Sequence, residues 1–372
     1  MKTKVVVAMS GGVDSSVAAA LLKEQGYEVI GITMCFGTAA GSSNLLKRPP
    51  CCSPEALEDA RRVSNILDIK HYALNFAKDL EKFVIKDFID EYLSGRTPNP
   101  CVRCNRFLKF GTLLKKAREL GASFIATGHY ARIEFDRKLE THLLKKGKDT
   151  FKDQSYFLCS IDKSALPYIL LPLGKYNKLQ VRALARKFKL PVHDKPGSQE
   201  ICFVPDADYR GFLKNRLVQM KTNIKPGPIL DTTGKVLGTH NGIAFYTIGQ
   251  RQGLGVSFKE PLYCINIDAD SNSITLGTKE ESYFKGLVAH RLNFLYPVGN
   301  AKRLDLKVKI RYNQKDIKSR VNLPAVISNS DLRNLTAEVI FNQPQSSVAP
   351  GQSVVFYKAD IVVGSGVIYK PR

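Results

Sequence analysis

The segment from residue 4 to residue 26, KVVVAMSGGVDSSVAAALLKEQG, constrains the fold more than any other part of the chain. It starts with Lys4–Ala8, a short run rich in β-branched residues that is typical of a buried parallel strand. A serine and a pair of glycines follow at once, and an apolar periodic pattern from about Asp14 to Gly26 then predicts a helix. A strand, a tight turn and a helix in direct succession predict the first unit of an α/β fold.

The turn between this strand and this helix has the composition of a phosphate-binding site. Glycine lets backbone N–H groups converge on phosphate oxygens, and the dipole of the helix favours negative charge. Ser10, Ser15 and Ser16 add hydroxyl groups. The turn is not a Walker loop, because it lacks the Gly-Lys-Ser/Thr ending and has no lysine to reach a γ-phosphate. Ser-Gly-Gly-Val-Asp-Ser resembles instead the PP-loop of ATP pyrophosphatases, which implies adenylation of a substrate oxygen; a plain glycine turn is the alternative.

Length, charge and cysteine content narrow the class of protein. A chain of 372 residues is long enough for two or three domains. It has 56 Lys and Arg against 34 Asp and Glu, and the net charge of +22 favours a polyanionic partner, most simply nucleic acid, over a basic surface without such a partner. No apolar run predicts a membrane span, and the early turn leaves no room for a signal peptide, so we expect a cytoplasmic protein without a membrane partner. Eight unevenly spaced cysteines are typical of reduced thiols used for chemistry or metal binding.

Strands and helices alternate over the first part of the chain, which predicts a doubly wound parallel sheet. After the first strand, the predicted strands are Glu28–Met34, Lys70–Leu74 and Ser123–Thr127. The predicted helices between them are 53–67, Lys78–Leu93 and Asn105–Leu120. Ligands of such sheets bind at the carboxyl ends of the strands, where Ser10, Met34 and Gly128 fall.

The second half of the chain changes character. Residues 153–203 have a helical pattern with two proline breaks, and residues 206–285 mix one helix with short strands and glycine-rich turns. Beyond residue 286, apolar residues alternate with lysines with period two, which predicts a small β-barrel or sandwich. We therefore predict three domains, at 1–205, 206–285 and 286–372.

A second strong signal is the segment RTPNPCVRCNR, which begins at Arg96. The pattern places Cys104 where the next helix begins, close to Arg103 and Arg106, and such surroundings lower the pKa of a thiol. The pair Cys101 and Cys104 is therefore compatible with a reactive site, half of a zinc site, a redox pair or chance. The absence of a second CxxC in the sequence disfavours structural zinc.

Cys202 lies far along the chain from Cys104, and only the fold could bring the two together. By itself, the run Ile201-Cys-Phe-Val204 favours a buried core cysteine. We expect structural thiols at the remaining positions, which are Cys35, Cys51, Cys52, Cys159 and Cys264.

Seven motifs occur in one order along nearly the whole chain. They are MSGGVDSS from Met9, CCSPE from Cys51, GRTPNP from Gly95, ATGHY from Ala126, KDQSYFL from Lys152, ICF from Ile201 and PGQSVVFY from Pro350. Through them the chain resembles the MnmA family of bacterial tRNA-specific 2-thiouridylases. The resemblance implies a PP-loop catalytic domain with an adenine nucleotide α-hydrolase-like sheet, a central tRNA-binding domain and a C-terminal β-barrel. It also implies replacement of the 2-oxygen of wobble uridine 34 by sulfur in tRNA(Lys), tRNA(Glu) and tRNA(Gln).

The resemblance further implies which residues act. ATP with Mg²⁺ would adenylate the uridine oxygen, and Asp14 would assist the metal. The implied ATP-binding residues are Ala8, Met9, Ser10, Gly11, Gly12, Val13, Asp14, Ser15, Met34 and Gly128. The implied tRNA-binding residues are Asn99, Pro100, Cys101, His129, Lys152, Asp153, Gln154, Arg311, Tyr312 and Gln352. Taken alone, His129 would more often be an ordinary structural histidine, whereas Arg311 and Tyr312 fit the cationic face of the predicted barrel.

For sulfur transfer, the family's persulfide mechanism implies that Cys202 carries the sulfane sulfur and that Cys104 is the attacking or resolving thiol. This reverses the core-cysteine interpretation of Cys202. Many relatives carry Asp where this chain has Cys101, so the role of that position does not transfer. The three thiols would alternatively suit a [4Fe-4S] cluster with one iron open for sulfide. Both mechanisms remain open, as do a resting Cys104–Cys202 disulfide and the identity of the sulfur donor, a cysteine desulfurase or a sulfur-relay protein.

Two other classes of function compete with this interpretation. One is a different PP-loop ligase, such as an amide-forming synthetase, which needs no reactive thiol beside the adenylate. The other is a non-catalytic tRNA-binding protein that keeps the nucleotide loop as a switch, for which no conversion of ATP to AMP is expected.

Overall fold

The computed structural model describes residues 2–37, 54–197, 201–323 and 335–372. The chain forms two compact units. The first consists of Met1–Val84, Cys101–Tyr209 and Asp360–Val362, and the second of Ile85–Pro100, Arg210–Ala359 and Val363–Arg372. Cys51 and Cys52 lie outside the described residues.

Helices of three kinds occur in the described ranges. The α-helices are α1 (Val13–Glu24), α2 (Pro54–Ile66), α3 (Ala77–Leu80), α4 (Lys86–Leu93), α5 (Pro100–Arg103), α6 (Leu114–Glu119), α7 (Lys178–Lys187) and α8 (Tyr209–Gln219). Glu81–Ile85 and Cys104–Leu113 are π-helical and join α3 to α4 and α5 to α6. The 3₁₀ turns are Ser155–Leu158, Lys163–Tyr168, Pro172–Lys175, Pro205–Ala207, Ile243–Phe245 and Glu280–Ser282.

The strands form three sheets. In chain order they are β1 (Lys4–Ala8), β2 (Glu28–Cys35), β3 (Lys70–Asn75), β4 (Phe124–Ala126), β5 (Ala131–Asp136), β6 (Thr141–Lys146), β7 (Ile169–Leu170), β8 (Gly227–Leu230), β9 (Val236–His240), β10 (Tyr263–Asp268), β11 (Ser273–Gly277), β12 (Tyr283–Phe294), β13 (Arg303–Lys309), β14 (Ile317–Asn322), β15 (Ala337–Ser346), β16 (Ser353–Lys358) and β17 (Ile361–Pro371).

A five-stranded parallel sheet in the order β3-β2-β1-β4-β7 forms the centre of the first unit. Val5, Val6 and Val7 of β1 are fully buried, as expected for a parallel strand that is covered on both faces. They favour a strand because β-branched side chains fit its pleated surface. The predicted doubly wound parallel sheet is confirmed. The chain runs from β1 to one side through β2 and to the other side at β4, so the topological switch point lies between β1 and β4.

The helix that follows β1 is held by an apolar cluster. Val17 and Leu21 of α1 belong to this cluster together with Val7 of β1 and with Val181 and Ala185 of α7. Because α1 is buried along most of its length, its amino end has a well-defined position at the carboxyl end of β1. The fold thereby places the glycine turn at the switch point.

Three parts of the first unit differ from the sequence expectation. Residues 131–146 form a hairpin, β5 and β6, that periodicity did not reveal. The stretch 153–203 is predicted to be helical, but its described residues, 153–197 and 201–203, form mostly 3₁₀ turns and loops around α7, together with β7. The helix predicted to begin at Asn105 begins at Pro100, because proline suits a first helical turn that needs no N–H donor.

The second unit contains two sheets. Strands β10-β11-β8-β9 form a small mixed sheet in which only β8 and β11 are parallel. Strands β12-β15-β14-β13-β16-β17 form the other, and β12 also pairs with β17, which closes it into a barrel. In β13, Leu306 and Val308 are buried while Lys307 is exposed, so the predicted period-two pattern is confirmed. The predicted C-terminal β-barrel is also confirmed, whereas the division into three domains stays a prediction.

None of the described helices has both the length and the apolar character needed to cross a bilayer.

Candidate active site

Glycine is required at the first position of the turn after β1. Gly11 has φ +67°, a conformation that side chains disfavour, and a Cβ atom there would overlap the carbonyl oxygen of Ala56. Gly12 is extended and caps α1. The turn therefore approaches α2 more closely than any residue with a side chain would allow.

The serines of the turn bond to one another and to its backbone. The Ser10 N–H donates to Ser15 Oγ at 3.2 Å, and the two hydroxyl oxygens lie 3.3 Å apart. Ser15 and Ser16 both donate from Oγ to the Gly12 carbonyl, at 3.1 and 2.9 Å. Ser15 and Ser16 are buried while Ser10 is exposed, so the Ser10 end of the turn faces solvent. The turn thus presents backbone donors, a hydroxyl and a helix amino end to any anion that enters.

Gly128, after β4, lies directly against this helix end. A Cβ atom there would come within 2.7 Å of the carbonyl carbon of Asp14 and the nitrogen of Ser15. Met34 occupies the carboxyl end of β2, which is the neighbour of β1 in the sheet. The structure therefore brings Gly128 to the turn and places Met34 at the same edge of the sheet, as predicted for parallel strands.

Asp14, in the first turn of α1, has two partners that the sequence did not reveal. Lys178 Nζ donates to both carboxylate oxygens, at 2.7 and 2.8 Å. The Tyr130 hydroxyl donates to Oδ1 at 2.6 Å. Burial, and then the negative charge of Asp14, raise the pKa of Tyr130 far above its usual value, so its hydroxyl stays protonated and remains a donor.

A second lysine reaches the opposite end of the turn. Lys195 Nζ donates to the Gly11 carbonyl at 3.3 Å and to Asp59 Oδ2 at 2.6 Å. Tyr130 belongs to the ATGHY motif that begins at Ala126, but Lys178 and Lys195 lie in stretches without any local sequence signal for a binding site. Only the fold shows that they belong to the site.

His129 is a buried neutral side chain. Its Nδ1 atom lies 2.7 Å from Thr127 Oγ1, and its ring lies 6.2 Å from the ring of Phe110. Burial, and then the positive charge of Lys109, hold the pKa of His129 well below its usual value. This environment is that of a structural histidine, and its contact with tRNA stays a prediction.

The predicted tRNA-binding residues 152–154 divide into two kinds. Asp153 is 4% exposed and accepts hydrogen bonds from the Gly147 N–H and from the N–H and hydroxyl of Ser155. Gln154 Oε1 accepts from the Tyr130 N–H at 3.0 Å, while the Gln154 N–H donates to the Tyr130 carbonyl at 2.8 Å. Two of the three residues thus shape the loop, and Lys152 alone is exposed.

The CxxC pair lies one turn deeper in its helix than the sequence predicts. Cys101 is exposed in the first turn of α5, whereas Cys104 is 9% exposed at the start of the π-helical segment. The prediction that Cys104 begins the helix is therefore wrong. Nearby, the guanidinium groups of Arg103 and Arg106 lie 5.0 and 5.2 Å from the centre of the Phe107 ring.

Cys202 is not a core cysteine. It is half-buried in a turn, where the Val204 N–H donates to the Ile201 carbonyl at 3.0 Å. Cys159 and Cys264, by contrast, are fully buried, and burial raises the pKa of Cys264 to about 12. A half-buried thiol in a turn is accessible to chemistry in a way that these two are not.

Cys101, Cys104 and Cys202 form no metal-binding group in the described part of the chain. Among the residues that the structure describes, no three His, Cys, Asp or Glu side chains lie together so that they could hold a metal ion. Cys101, Cys104 and Cys202 therefore do not fit a [4Fe-4S] cluster, which needs its cysteines around one centre. Mg²⁺ makes smaller demands, because it keeps several waters and is bound through one or two carboxylates together with substrate phosphates. The Asp14 carboxylate fits that requirement.

In the second unit, Gln352 holds the segment that precedes the CxxC pair. Its Nε2 donates to the carbonyls of Thr97 and Pro98, at 3.1 and 2.8 Å, and the Thr97 N–H donates to the Pro350 carbonyl at 2.7 Å. At Gly351, which has φ +90°, a Cβ atom would meet the Thr97 carbonyl oxygen at 2.8 Å. Residues 96–100, which we name the proline segment, are thus fixed on the turn at residues 350–352.

The buried carboxylate of Glu91 anchors the start of the proline segment through an ion pair. Glu91 is buried and accepts a hydrogen bond from Arg96 Nε at 2.5 Å, with Arg291 at 3.7 Å on the other oxygen. The hydrogen bond to Glu91 raises the pKa of Arg96. Pro98 and Pro100 are buried and Asn99 is half-buried, so the segment exposes Asn99 on a rigid support.

Arg311 and Tyr312, the two predicted tRNA contacts of the barrel, follow the end of β13. Arg311 is exposed and donates to the Ser346 carbonyl at 3.4 Å, and Tyr312 is half-buried. Their role in binding RNA stays a prediction.

A parallel sheet with a Ser-Gly-Gly turn at its switch point defines an α/β protein of the PP-loop, nucleotide-binding class. Three domain families match the chain in order: the tRNA methyl transferase HUP domain at residues 3–206, the tRNA methyl transferase PRC-barrel domain at 210–278 and the aminomethyltransferase β-barrel domain at 284–368.

Full-length relatives give the family. The chain is 48% identical over 372 residues to the tRNA-specific 2-thiouridylase MnmA of Natranaerobius thermophilus, which covers 100% of this chain and 98% of the relative. It is 49% identical over 367 residues to the protein of the same name from Acetivibrio thermocellus, covering 99% of each. The chain therefore belongs to the MnmA family of tRNA-specific 2-thiouridylases, and the resemblance noted from its motifs is confirmed.

A more distant likeness is found with a solved 4-thiouridine synthetase–RNA complex with bound ATP. It is 18% identical, covers 59% of this chain and 51% of that one, and has a TM-score of 0.34. An identity and a TM-score this low establish neither a shared fold nor a shared function.

Proposed function

We propose that this protein is a tRNA-uridine 2-sulfurtransferase that converts wobble uridine 34 to 2-thiouridine in tRNA(Lys), tRNA(Glu) and tRNA(Gln) in the cytoplasm. The observation that carries the proposal is the 48% identity to a 2-thiouridylase along the whole chain. The glycine turn at the switch point, with its donors for an anion, and the net charge of +22 agree with a reaction between ATP and RNA.

In the first step, O2 of the uridine attacks the α-phosphorus of ATP, and pyrophosphate leaves. Residues 8–15 would hold the phosphates through the exposed Ser10 hydroxyl and the amino end of α1, while Met34 and Gly128 would border the adenosine. Mg²⁺, held by Asp14, would neutralise phosphate charge. The hydrogen bond from the Tyr130 hydroxyl to Asp14 Oδ1 supports this assignment, because it keeps the carboxylate in one orientation.

In the second step, sulfur replaces the activated oxygen. The terminal sulfur of a Cys202 persulfide attacks C2, and AMP leaves with the former O2. The Cys104 thiolate then attacks the Cys202 sulfur, so that the S–S bond to the transferred sulfur breaks, 2-thiouridine is released and a Cys104–Cys202 disulfide forms. A thiol reductant restores both cysteines, and a cysteine desulfurase or a sulfur-relay protein reloads Cys202. The half-buried turn position of Cys202 supports its exchange with such a donor.

For tRNA binding, we propose that Asn99, Pro100 and Cys101 lie beside the target base. The rigid support of the proline segment favours this role, because a base extruded from its stack needs a preformed pocket. The remaining proposed contacts are His129, Lys152, Asp153, Gln154, Arg311, Tyr312 and Gln352. Lys152 and Arg311 carry exposed charge that suits phosphate.

The test is to incubate the protein with unmodified tRNA, ATP and a persulfide donor, to digest the tRNA and to quantify 2-thiouridine and AMP. The wild-type protein is expected to form both, whereas Cys104→Ser and Cys202→Ser are expected to form no 2-thiouridine. Cys264→Ala is the control, since this buried thiol has no part in the proposed transfer, and the variant should still form 2-thiouridine. AMP formation without any thionucleoside would indicate another PP-loop ligase, and no AMP at all would indicate a binding protein.

A further inference from the structure

Two lysines from the distant part of the chain supply the positive charge that the turn itself lacks. Lys178 Nζ reaches Asp14 across 164 positions, and Lys195 Nζ reaches the Gly11 carbonyl across 184. The Walker loop carries such a charge within its own sequence. In this chain the charge comes from outside the turn.

The backbone of Lys178 is firmly placed, and its ammonium group stands at the end of a long side chain. It is the first residue of α7, after an Asn177 cap that forms a reciprocal capping box with Gln180. Its backbone N–H also donates to Asp149 Oδ2 at 2.9 Å. The side chain is 18% exposed. The backbone is therefore fixed, while the ammonium group at the end of a flexible stem can change its partner.

The pairing of Lys178 with Asp14 suits the protein before nucleotide has bound. A carboxylate at the amino end of α1 would repel an incoming polyphosphate, and the ammonium group cancels this charge. Tyr130 holds the same carboxylate through a separate hydrogen bond. Asp14 therefore keeps a partner, and its orientation, when Lys178 leaves it.

We propose, building on the function proposed above, that Lys178 is the phosphate-binding cation of the site and that it moves from Asp14 to the pyrophosphate portion of ATP when the nucleotide enters. It would then stabilise the charge that develops on departing pyrophosphate. Tyr130 keeps Asp14 in place during this exchange. The geometry favours Lys178 over Lys195, because Asp14 keeps the hydrogen bond from Tyr130 when Lys178 leaves it. Lys195 instead holds the Gly11 carbonyl of the turn as well as Asp59, so its departure would release the turn itself.

Inorganic pyrophosphate binding to the full chain, measured by titration calorimetry, tests the proposal. Lys178→Met is expected to weaken binding about 10- to 100-fold, the size of one hydrogen bond to a charged group. It should lower the kcat for AMP formation at least as much and leave tRNA affinity unchanged. Lys178→Arg keeps the charge and should stay within a few-fold of wild type. The matched control is Lys187→Met on the same helix, where Nζ lies 3.2 Å from Glu24 and away from the turn, and it should bind like wild type.

A double variant separates phosphate binding from simple neutralisation of Asp14. If Lys178 serves only to cancel that charge, Asp14→Asn/Lys178→Met will recover wild-type pyrophosphate affinity, which would overturn the proposal. Unchanged affinity in Lys178→Met, or no pyrophosphate binding by wild type, would overturn it as well. Lys178-dependent pyrophosphate binding without any 2-thiouridine from wild type would leave this inference standing and reject the proposed function.

Discussion

The glycine turn of the first unit and the proline segment of the second are built in opposite ways. At the turn, side chains converge from distant positions, and Asp14 accepts hydrogen bonds from Lys178 and Tyr130. In the proline segment, neutral hydrogen bonds from Gln352 fix the backbone, and Arg96 is paired with the buried carboxylate of Glu91. The difference suits the two tasks that we propose, since a phosphate site must exchange its ionic partners with substrate, whereas a base pocket must keep its shape.

The largest effect is expected when the backbone of the turn is displaced. In Gly11→Ala the new methyl group overlaps the Ala56 carbonyl at positive φ, so the turn must move. A displacement of this kind is expected to lower ATP-dependent AMP formation on the order of 100-fold. The rate of AMP formation, measured in samples quenched at successive times, tests this expectation.

Gly26→Ala is the control for that loss. Gly26 also has positive φ, but nothing lies within 4 Å of a Cβ atom there. The substitution therefore adds backbone strain of about 1–3 kcal/mol without a clash. The melting temperature should fall in both variants, and equal AMP formation in the two would show that the shape of the turn is not critical.

A smaller effect is expected when the proline segment loses its side-chain anchor. Gln352→Ala removes two hydrogen bonds to the backbone, worth about 1 kcal/mol each. The kcat/KM for tRNA should fall roughly 10-fold, while the KM for ATP stays unchanged. Gln343→Ala, at an exposed position of the same unit, should behave like wild type. A rise in the KM for ATP in Gln352→Ala would contradict the separation of the two tasks.

The smallest effect concerns pH and the stability of the unit that contains the turn. Burial holds the pKa of His129 well below the usual value of 6.5, so the folded protein leaves it neutral while the unfolded chain takes up a proton. Stability is thus fully present above about pH 6.5 and falls below it, by up to about 1.4 kcal/mol per pH unit for this group. In urea unfolding from pH 8 to pH 5, His129→Gln should show a shallower decline. Parallel curves for variant and wild type below pH 6.5 would exclude this contribution.

Much of the first unit could be predicted because its signals are local. The β-branched run of β1, the glycines after it and the period of α1 lie in one short segment, and each has a direct steric or electrostatic cause. The strand β7 could not be found in this way, because two residues, Ile169 and Leu170, have no period; they form a strand only because β4 offers an open edge. The helix start at Pro100 was missed because the first helical turn precedes the apolar pattern.

The sequence by itself determined the parallel sheet, the turn at its switch point, the period-two strands beyond residue 286 and the family, because alternation, glycine chemistry and short motifs are properties of neighbouring residues. Whether those strands form a barrel or a sandwich was decided by the long-range pairing of β12 with β17. The tertiary structure alone decided that Lys178 and Tyr130 meet at Asp14, that Gln352 holds Thr97 and Pro98, and that the three cysteines form no metal-binding group. These contacts join residues far apart in the chain, and their distances depend on how helices, strands and turns pack.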